Sequence, residues 1–217
     1  AALTQTDREV STSLGLSWQV DRNIRAFAKR EDVLRFANVD DNGYTIPGTA
    51  FLKPQTGVSW ETGLEWQDSM QRYQLSVYRL DLKDEIAFDG SALGPDAGFG
   101  VLGAIVNLDD TRRDGLLLEG QRQLTERLSL SGQYSFTDAT YRAGSFEGND
   151  VPWVARHTAG LNLSYLLLKG LTGYLETNYN GPRYLSGDDA HALPRAGGYT
   201  LFNLGLSYDY QQFSLFH

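Results

Sequence analysis

Leu128-Ser129-Leu130-Ser131-Gly132-Gln133-Tyr134-Ser135-Phe136-Thr137 alternates in kind from one residue to the next. Leu128, Leu130, Tyr134 and Phe136 fall on one parity; Ser129, Ser131, Gln133, Ser135 and Thr137 fall on the other. A helix would scatter each set around a cylinder, whereas a strand puts each on its own face. The pattern recurs along the chain. Leu14, Leu16, Trp18 and Val20 oppose Ser13, Gly15, Ser17 and Gln19; Val58, Trp60, Leu64 and Trp66 oppose Ser59, Glu61, Gly63 and Glu65. Leu161, Leu163 and Tyr165 oppose Gly160, Asn162 and Ser164, and Phe202, Leu204, Leu206 and Tyr208 oppose Asn203, Gly205 and Ser207. The chain reads as all-β.

The connections alternate too. Asp21-Arg22, the polar turn Gln67 to Arg72, Thr125-Glu126-Arg127 and Lys169-Gly170 are hairpin-sized links. Between them run long connections near 29–56, 88–104, 142–155 and 180–198, rich in Gly, Pro, Asp and Asn. Such strict alternation predicts an antiparallel up-and-down meander with its tight turns at one end and its long loops at the other. Nine strands are expected, plus the beginning of a tenth at Phe213–Phe216.

Composition narrows the function classes. With 217 residues, 19 Lys+Arg and 27 Asp+Glu, the net charge of −8 disfavours nucleic acid as a partner. The absence of Cys excludes disulfide scaffolds, thiolate metal sites and cysteine nucleophiles. The longest apolar run, Tyr165 to Leu168, is far short of the roughly 18–20 residues of a membrane helix, and Ala1-Ala2-Leu3-Thr4 does not resemble a signal peptide. A membrane barrel stays open, because its strands are apolar on one side only. Two features favour that barrel. Aromatics gather near run ends (Trp18, Trp66, Tyr73, Phe136, Tyr179, Tyr208, Tyr210), as an interfacial girdle does, and the polar faces are poor in Lys. Leu and aromatics are then expected to face lipid, with polar side chains toward an enclosed lumen.

Leu52-Lys53-Pro54-Gln55-Thr56-Gly57-Val58-Ser59-Trp60-Glu61-Thr62-Gly63 resembles the L-x-P-E-x-(S/T)-x-x-x-E-(L/V/T)-G stretch of TonB-dependent outer-membrane receptors. Tyr78 to Ile86 is similar to the family's Y-x-x-x-x-x-D-x-I strand, and Asn107 to Glu119 to its N-x…R-x-G-x-E strand. Val151-Pro152-Trp153-Val154-Ala155-Arg156-His157, Gly181-Pro182-Arg183-Tyr184 and Tyr199–Tyr208 resemble three further elements, in the family's order. Gln55 and Ala155 depart from it, standing where Glu and Pro are usual.

The resemblance implies a transmembrane barrel of about 22 strands closed by an N-terminal plug. Residues 1–217 would be part of its single barrel domain, with the plug and the last strands absent. It implies an outer-membrane receptor importing a ferric siderophore or similar scarce nutrient, energised through the TonB complex by way of the missing plug region. Its remaining partner would be outer-membrane lipid. No cofactor is expected, and iron would enter only as a transported chelate. A passive diffusion channel and a soluble β-sheet binding protein are the alternatives.

Ferric chelates are often anionic and aromatic, so Arg donors beside rings are the logical ligand contacts. Arg112, Arg113, Trp153, Arg156, Arg183 and Tyr184, all near long loops, are the candidates. Against each stands the blander reading of a wall charge paired with a carboxylate, or a girdle aromatic. Arg25, Arg35, Tyr44 and Phe51 carry less weight. Asp40-Asp41-Asn42-Gly43 reads as an ordinary turn, and Asp188-Asp189 with His191 as hydrated loop charge. No nucleophile elbow, His-Glu-x-x-His or phosphate loop occurs, so the chain is not expected to be an enzyme.

Overall fold

A computed structural model describes residues 4–210 and 213–216; Ala1 to Leu3, Gln211, Gln212 and His217 lie outside the described residues. In chain order the elements are β1 (Ser13–Gln19), β2 (Ile24–Arg35), α1 (Val39–Gly43), β3 (Gln55–Gln67), β4 (Gln71–Lys83), β5 (Ile86–Asp89), β6 (Ala104–Asn107), β7 (Thr111–Thr125) and β8 (Leu128–Tyr141). Then come β9 (His157–Leu168), β10 (Leu171–Asn180), β11 (Tyr199–Tyr210) and β12 (Phe213–Phe216). Ten strands form one antiparallel sheet in the order β1-β2-β3-β4-β7-β8-β9-β10-β11-β12, while β5 and β6 pair separately as a hairpin. The expected meander is present, β12 being its tenth strand. β1 and β12 end the sheet and do not pair with each other.

The short turns close by local chemistry. Asp21 Oδ1 accepts from the amides of Asn23 (2.7 Å) and Ile24 (2.9 Å), and Asp68 Oδ1 from those of Met70 (2.8 Å) and Gln71 (3.0 Å). Thr125 Oγ1 does the same for Arg127 and Leu128, at 3.2 and 3.0 Å. The fourth link, Lys169-Gly170, has Gly170 at φ 81°, where an L side chain would be strained.

Register makes the two faces uniform across strands. Glu65, Gln74, Glu119, Gln133, Gly160 and Asn178 are successive cross-strand partners from β3 to β10. One residue along, the partners are Leu64, Leu75, Leu118, Tyr134, Ala159 and Tyr179. The sheet is therefore polar on one face and apolar on the other. Among the described residues nothing packs over its apolar face: Phe202 is 69% and Leu204 84% exposed, and Leu161 and Leu206 are exposed as well. Burying a large apolar side chain is favourable by about 1.5–3 kcal/mol, so a continuous bare face of this kind belongs in hydrocarbon. Leu161, Phe202 and Leu204 are not sealed in a dry interior, which is what the outward-facing reading of the alternation required.

Apolar burial sits instead at the long-loop end. Ala139, Tyr141 and Val151 pack with Leu108, Phe146 and Val154; Leu52, Leu82, Ile86 and Ala104 are buried nearby in the chain's loop-end segments. Strand boundaries there differ from the sequence reading. β2 continues to Arg35 rather than stopping near Lys29, because the charges of Arg30 and Asp32 rise above the apolar band without breaking the ladder. The long β4–β7 connection holds the β5–β6 hairpin, which strand-scale alternation did not reveal in four-residue segments.

Candidate functional site

The long loops are tied into one assembly. The β5–β6 hairpin is bound to the β2–β3 loop: Ile105 N donates to Tyr44 O at 2.7 Å, and Tyr44 Oη to Asp96 Oδ2 at 3.0 Å. That bond to Asp96, helped by burial and by the carboxylate's charge, raises the Tyr44 phenol above its usual pKa. Asn107 Nδ2 donates to the carbonyls of Lys53 (3.0 Å) and Asp84 (2.8 Å), and Ser186 Oγ to Phe88 O at 2.6 Å, which reaches the β10–β11 loop. Asp40-Asp41-Asn42-Gly43, read from sequence as a turn, lies in α1. There Asn38 and Asp41 form a reciprocal capping box, and Asp41 also holds Arg35 at 2.9 Å.

The β8–β9 and β10–β11 loops are cross-braced. Asp150 accepts from Arg156 (2.8 Å) and Arg195 (3.2 Å), and its carbonyl lies 2.9 Å from His191 Nε2. Tyr141 Oη donates to Asp189 at 2.5 Å, Asn149 Nδ2 to Asp189 O at 2.7 Å, and Trp153 N to Tyr184 O at 2.9 Å. Between these loops and the hairpin lies a cleft of about 570 Å³, whose lining includes Glu85, Phe88, Asp89, Arg113, Trp153 and Asp189.

The structure sorts the six candidates. Arg113 lines the cleft but is neutralised: its Nη2 lies 2.7 Å from Glu85, whose second oxygen takes the Thr111 hydroxyl at 2.9 Å. Arg112, one residue away, lies on the opposite face and bonds Asp81 at 2.6 Å, beside the Arg79–Asp114 pair. It points away from the cleft because strand parity separates neighbours. Arg156 is held by Asp138 (3.1 Å) and Asp150 (2.8 Å). Trp153, Arg183 and Tyr184 come together. The Arg183 guanidinium lies over the Trp153 ring (4.6 Å) and the Tyr199 ring (5.7 Å). Tyr184 stacks on His191 (3.6 Å, 4° between planes) and carries Arg195 at 4.5 Å.

Sequence reading missed Tyr199, Arg195 and His191 as members of this cluster. Tyr199 was visible only as a strand start, and the other two needed the loop fold. Asp188, Asp189 and His191 do not converge: Asp188 accepts from the amides of Ala192 and Leu193, Asp189 from Tyr141, and His191 stacks on Tyr184.

Below the loops, the polar face carries a shallow cleft of about 290 Å³ lined by Arg72, Gln74, Glu119, Gln133, Asn162 and Glu176 among others. Glu65 there bonds both Arg25 (3.1 Å) and Arg72 (2.5 Å) across neighbouring strands.

A sheet apolar on its outer face, polar on its inner face, with tight turns at one end and braced loops at the other, is the wall of a membrane β-barrel. Residues 1–216 match the family model described as TonB dependent receptor-like, beta-barrel. The chain belongs to that family, and its place is the bacterial outer membrane. It is 26% identical over 199 residues to an iron-regulated outer membrane virulence protein of Vibrio cholerae serotype O1, covering 87% of this chain and 30% of that protein. It is 25% identical over 216 residues to the ferrioxamine B receptor of Salmonella typhimurium, covering 95% of this chain and 28% of the relative.

Among solved structures, the ferric yersiniabactin uptake receptor from Yersinia pestis superposes with a TM-score of 0.68 at 19% identity, over 90% of this chain and 29% of that one. A variant of the ferric enterobactin receptor from Pseudomonas aeruginosa gives 0.68 at 18% identity, over 93% and 33%. These likenesses show the fold. The chain thus spans about three tenths of the length of the curated relatives it matches. The family model describes a receptor barrel, and neither relative is named as an enzyme, so the chain stands with receptors and not with enzymes.

Proposed function

We propose that this chain forms part of the wall and mouth of a receptor that binds a ferric siderophore or similar scarce nutrient and imports it with energy supplied through TonB. The observation that carries the reading is the aromatic and cationic cluster of Trp153, Arg183, Tyr184 and Tyr199 at the loop end of a polar-lined sheet. Rings and guanidinium groups together recognise a large chelate by stacking and charge. The names of the relatives, an iron-regulated outer membrane protein and a ferrioxamine B receptor, support an iron chelate as the ligand class. In this reading residues 1–217 all belong to one barrel domain, and the contact with TonB is made by a plug domain outside them.

Deleting the gene should abolish growth of an iron-starved strain on some ferric chelates and not others, which identifies the substrate. Inactivating the TonB system should abolish the same growth. Uptake that persists without energy coupling would instead mark a passive channel and overturn the proposal.

A further inference from the structure

Among the described residues, four strand arginines share the parity of the apolar, lipid-facing side: Arg30 on β2, Arg79 on β4, and Arg112 and Arg122 on β7. Arg30 bonds Asp32 at 2.6 Å, Arg79 bonds Asp114 at 2.7 Å, and Arg112 bonds Asp81 at 2.6 Å. Arg122 is different: among the described residues no carboxylate lies within ion-pair distance of it. Asp68, in the turn before its cross-strand neighbour Gln71, acts on it through charge alone and is itself bonded to Gln71 and the Met70 amide. The three paired arginines lie toward the long loops. Arg122 lies at the tight-turn end, three residues before β7 stops at Thr125.

Beside Arg122 the apolar face opens into a slot of about 470 Å³. Tyr73, Leu118, Tyr134 and Leu161 wall it, and Gly132 leaves its floor bare. A Cβ at Gly132 would meet Gly160 O at 3.3 Å and Leu161 Cδ1 at 3.4 Å, and nothing else among the described residues within 4 Å. We propose that slot and arginine together bind one anionic glycerophospholipid of the periplasmic leaflet, with an acyl chain in the slot and the phosphate on Arg122. The site belongs to the outer surface of the barrel wall and is independent of which nutrient the receptor carries.

Position and chemistry commit the site to that occupant. The slot is continuous with the lipid-facing surface, so an acyl chain is what reaches it. Tight turns of such barrels lie on the periplasmic side, which makes Arg122 a cation of that leaflet. Three residues of strand tilted by about 45° put its Cα about 7 Å inside the strand end. Leu124 and Leu130 lie beside it along the slot. A guanidinium among apolar side chains at that depth extends its long stem toward the headgroups, where an anion stabilises it. Its planar fork matches two oxygens of a phosphate. A headgroup that adds a fixed positive charge beside the phosphate repels the guanidinium and gains less.

The test uses the whole receptor, purified in detergent, with lipid binding followed by native mass spectrometry. Phosphatidylglycerol, phosphatidylcholine of the same acyl chains and lipid A are titrated against wild type, Arg122→Gln, Gly132→Leu and Arg142→Gln. Each variant is first shown to keep the heat-modifiable gel mobility of a folded barrel; should Gly132→Leu fail there, Arg122→Gln decides alone. Arg142 is an exposed loop arginine with no ion pair among the described residues, so its loss changes the overall charge equally. Wild type is expected to bind its first phosphatidylglycerol about fivefold tighter than phosphatidylcholine, the worth of one arginine near an anionic headgroup. Arg122→Gln should remove that preference, Gly132→Leu should weaken both lipids, and Arg142→Gln should change nothing. A preference that survives in Arg122→Gln, or is missing from wild type, overturns the site. So does an equal loss in Arg142→Gln, unchanged binding by a folded Gly132→Leu, or wild-type binding of lipid A in preference to phosphatidylglycerol.

Discussion

At the residue scale, one step of strand parity decides whether an arginine serves the cleft or the outer face. Arg112 and Arg113 are adjacent and chemically identical, yet one pairs with Asp81 outside the lumen and the other with Glu85 inside it. The Arg113–Glu85 pair is well shielded, at 15% and 16% side-chain exposure. Removing one member of a shielded pair leaves the other charge unanswered. Arg113→Gln should therefore loosen the β5–β6 hairpin by about 2–3 kcal/mol, read as faster hydrogen exchange at Ile86 and Leu108, with the β8–β9 ladder unaffected. Glycine has a comparable role at Gly115. The Tyr78 ring lies where a side chain at Gly115 would stand, and its hydroxyl reaches Thr137 at 2.8 Å on the next strand.

At the element scale, loops that look independent in the sequence act in pairs. Asp150 binds Arg156 of its own loop and Arg195 of the next one. Asp150→Ala should free the β10–β11 loop, so that proteinase K, which needs no basic residue, cuts between residues 181 and 198 in intact outer membranes faster than in wild type. The exchange Asp150→Arg with Arg195→Asp should restore resistance; unchanged cleavage in the single variant would show the brace to be unimportant.

The short turns are ordered by single side chains in the same way. The Asp68 carboxyl is held below its ordinary value by the Gln71 side chain and the Met70 amide. A carboxyl with a depressed folded pKa contributes stability above its unfolded value and loses it as pH falls through the folded one. Exchange at Met70 and Gln71 should therefore rise below about pH 4, the ordinary range of Asp. In Asp68→Asn that pH dependence should vanish.

At the scale of the whole molecule, the bilayer takes the place of a core. The sheet's apolar face is open along β3 to β11, and buried apolar side chains are concentrated under the loops. Leu204→Arg, on the lipid side of β11, should destabilise the inserted barrel by about 2–4 kcal/mol if it lies near the bilayer midplane. Asn203→Arg, one residue away on the polar face, should be tolerated. Denaturant unfolding of the two variants in lipid vesicles distinguishes them, and equal losses would contradict the assignment of faces.

Much of this was legible in the chain. Alternation in Leu128–Thr137 and Phe202–Tyr208 is local, because each side chain's face follows from its parity alone, and the strict exchange of short and long links follows from where Gly, Pro, Asp and Asn fall. The girdle aromatics and the polar lumen face could be read in the same way. The β5–β6 hairpin could not, since four-residue strands carry too few alternations, and neither could the partners of Arg112, Arg113, Arg156 and Arg183. Only the folded loops decide those partners: a charge pair depends on which distant segment arrives within a few ångströms. The sequence by itself determined which side chains share a face of the sheet, because parity along a strand is local. The tertiary structure decided which carboxylate answers Arg112, Arg113 and Arg156, because only the fold brings those partners within a few ångströms.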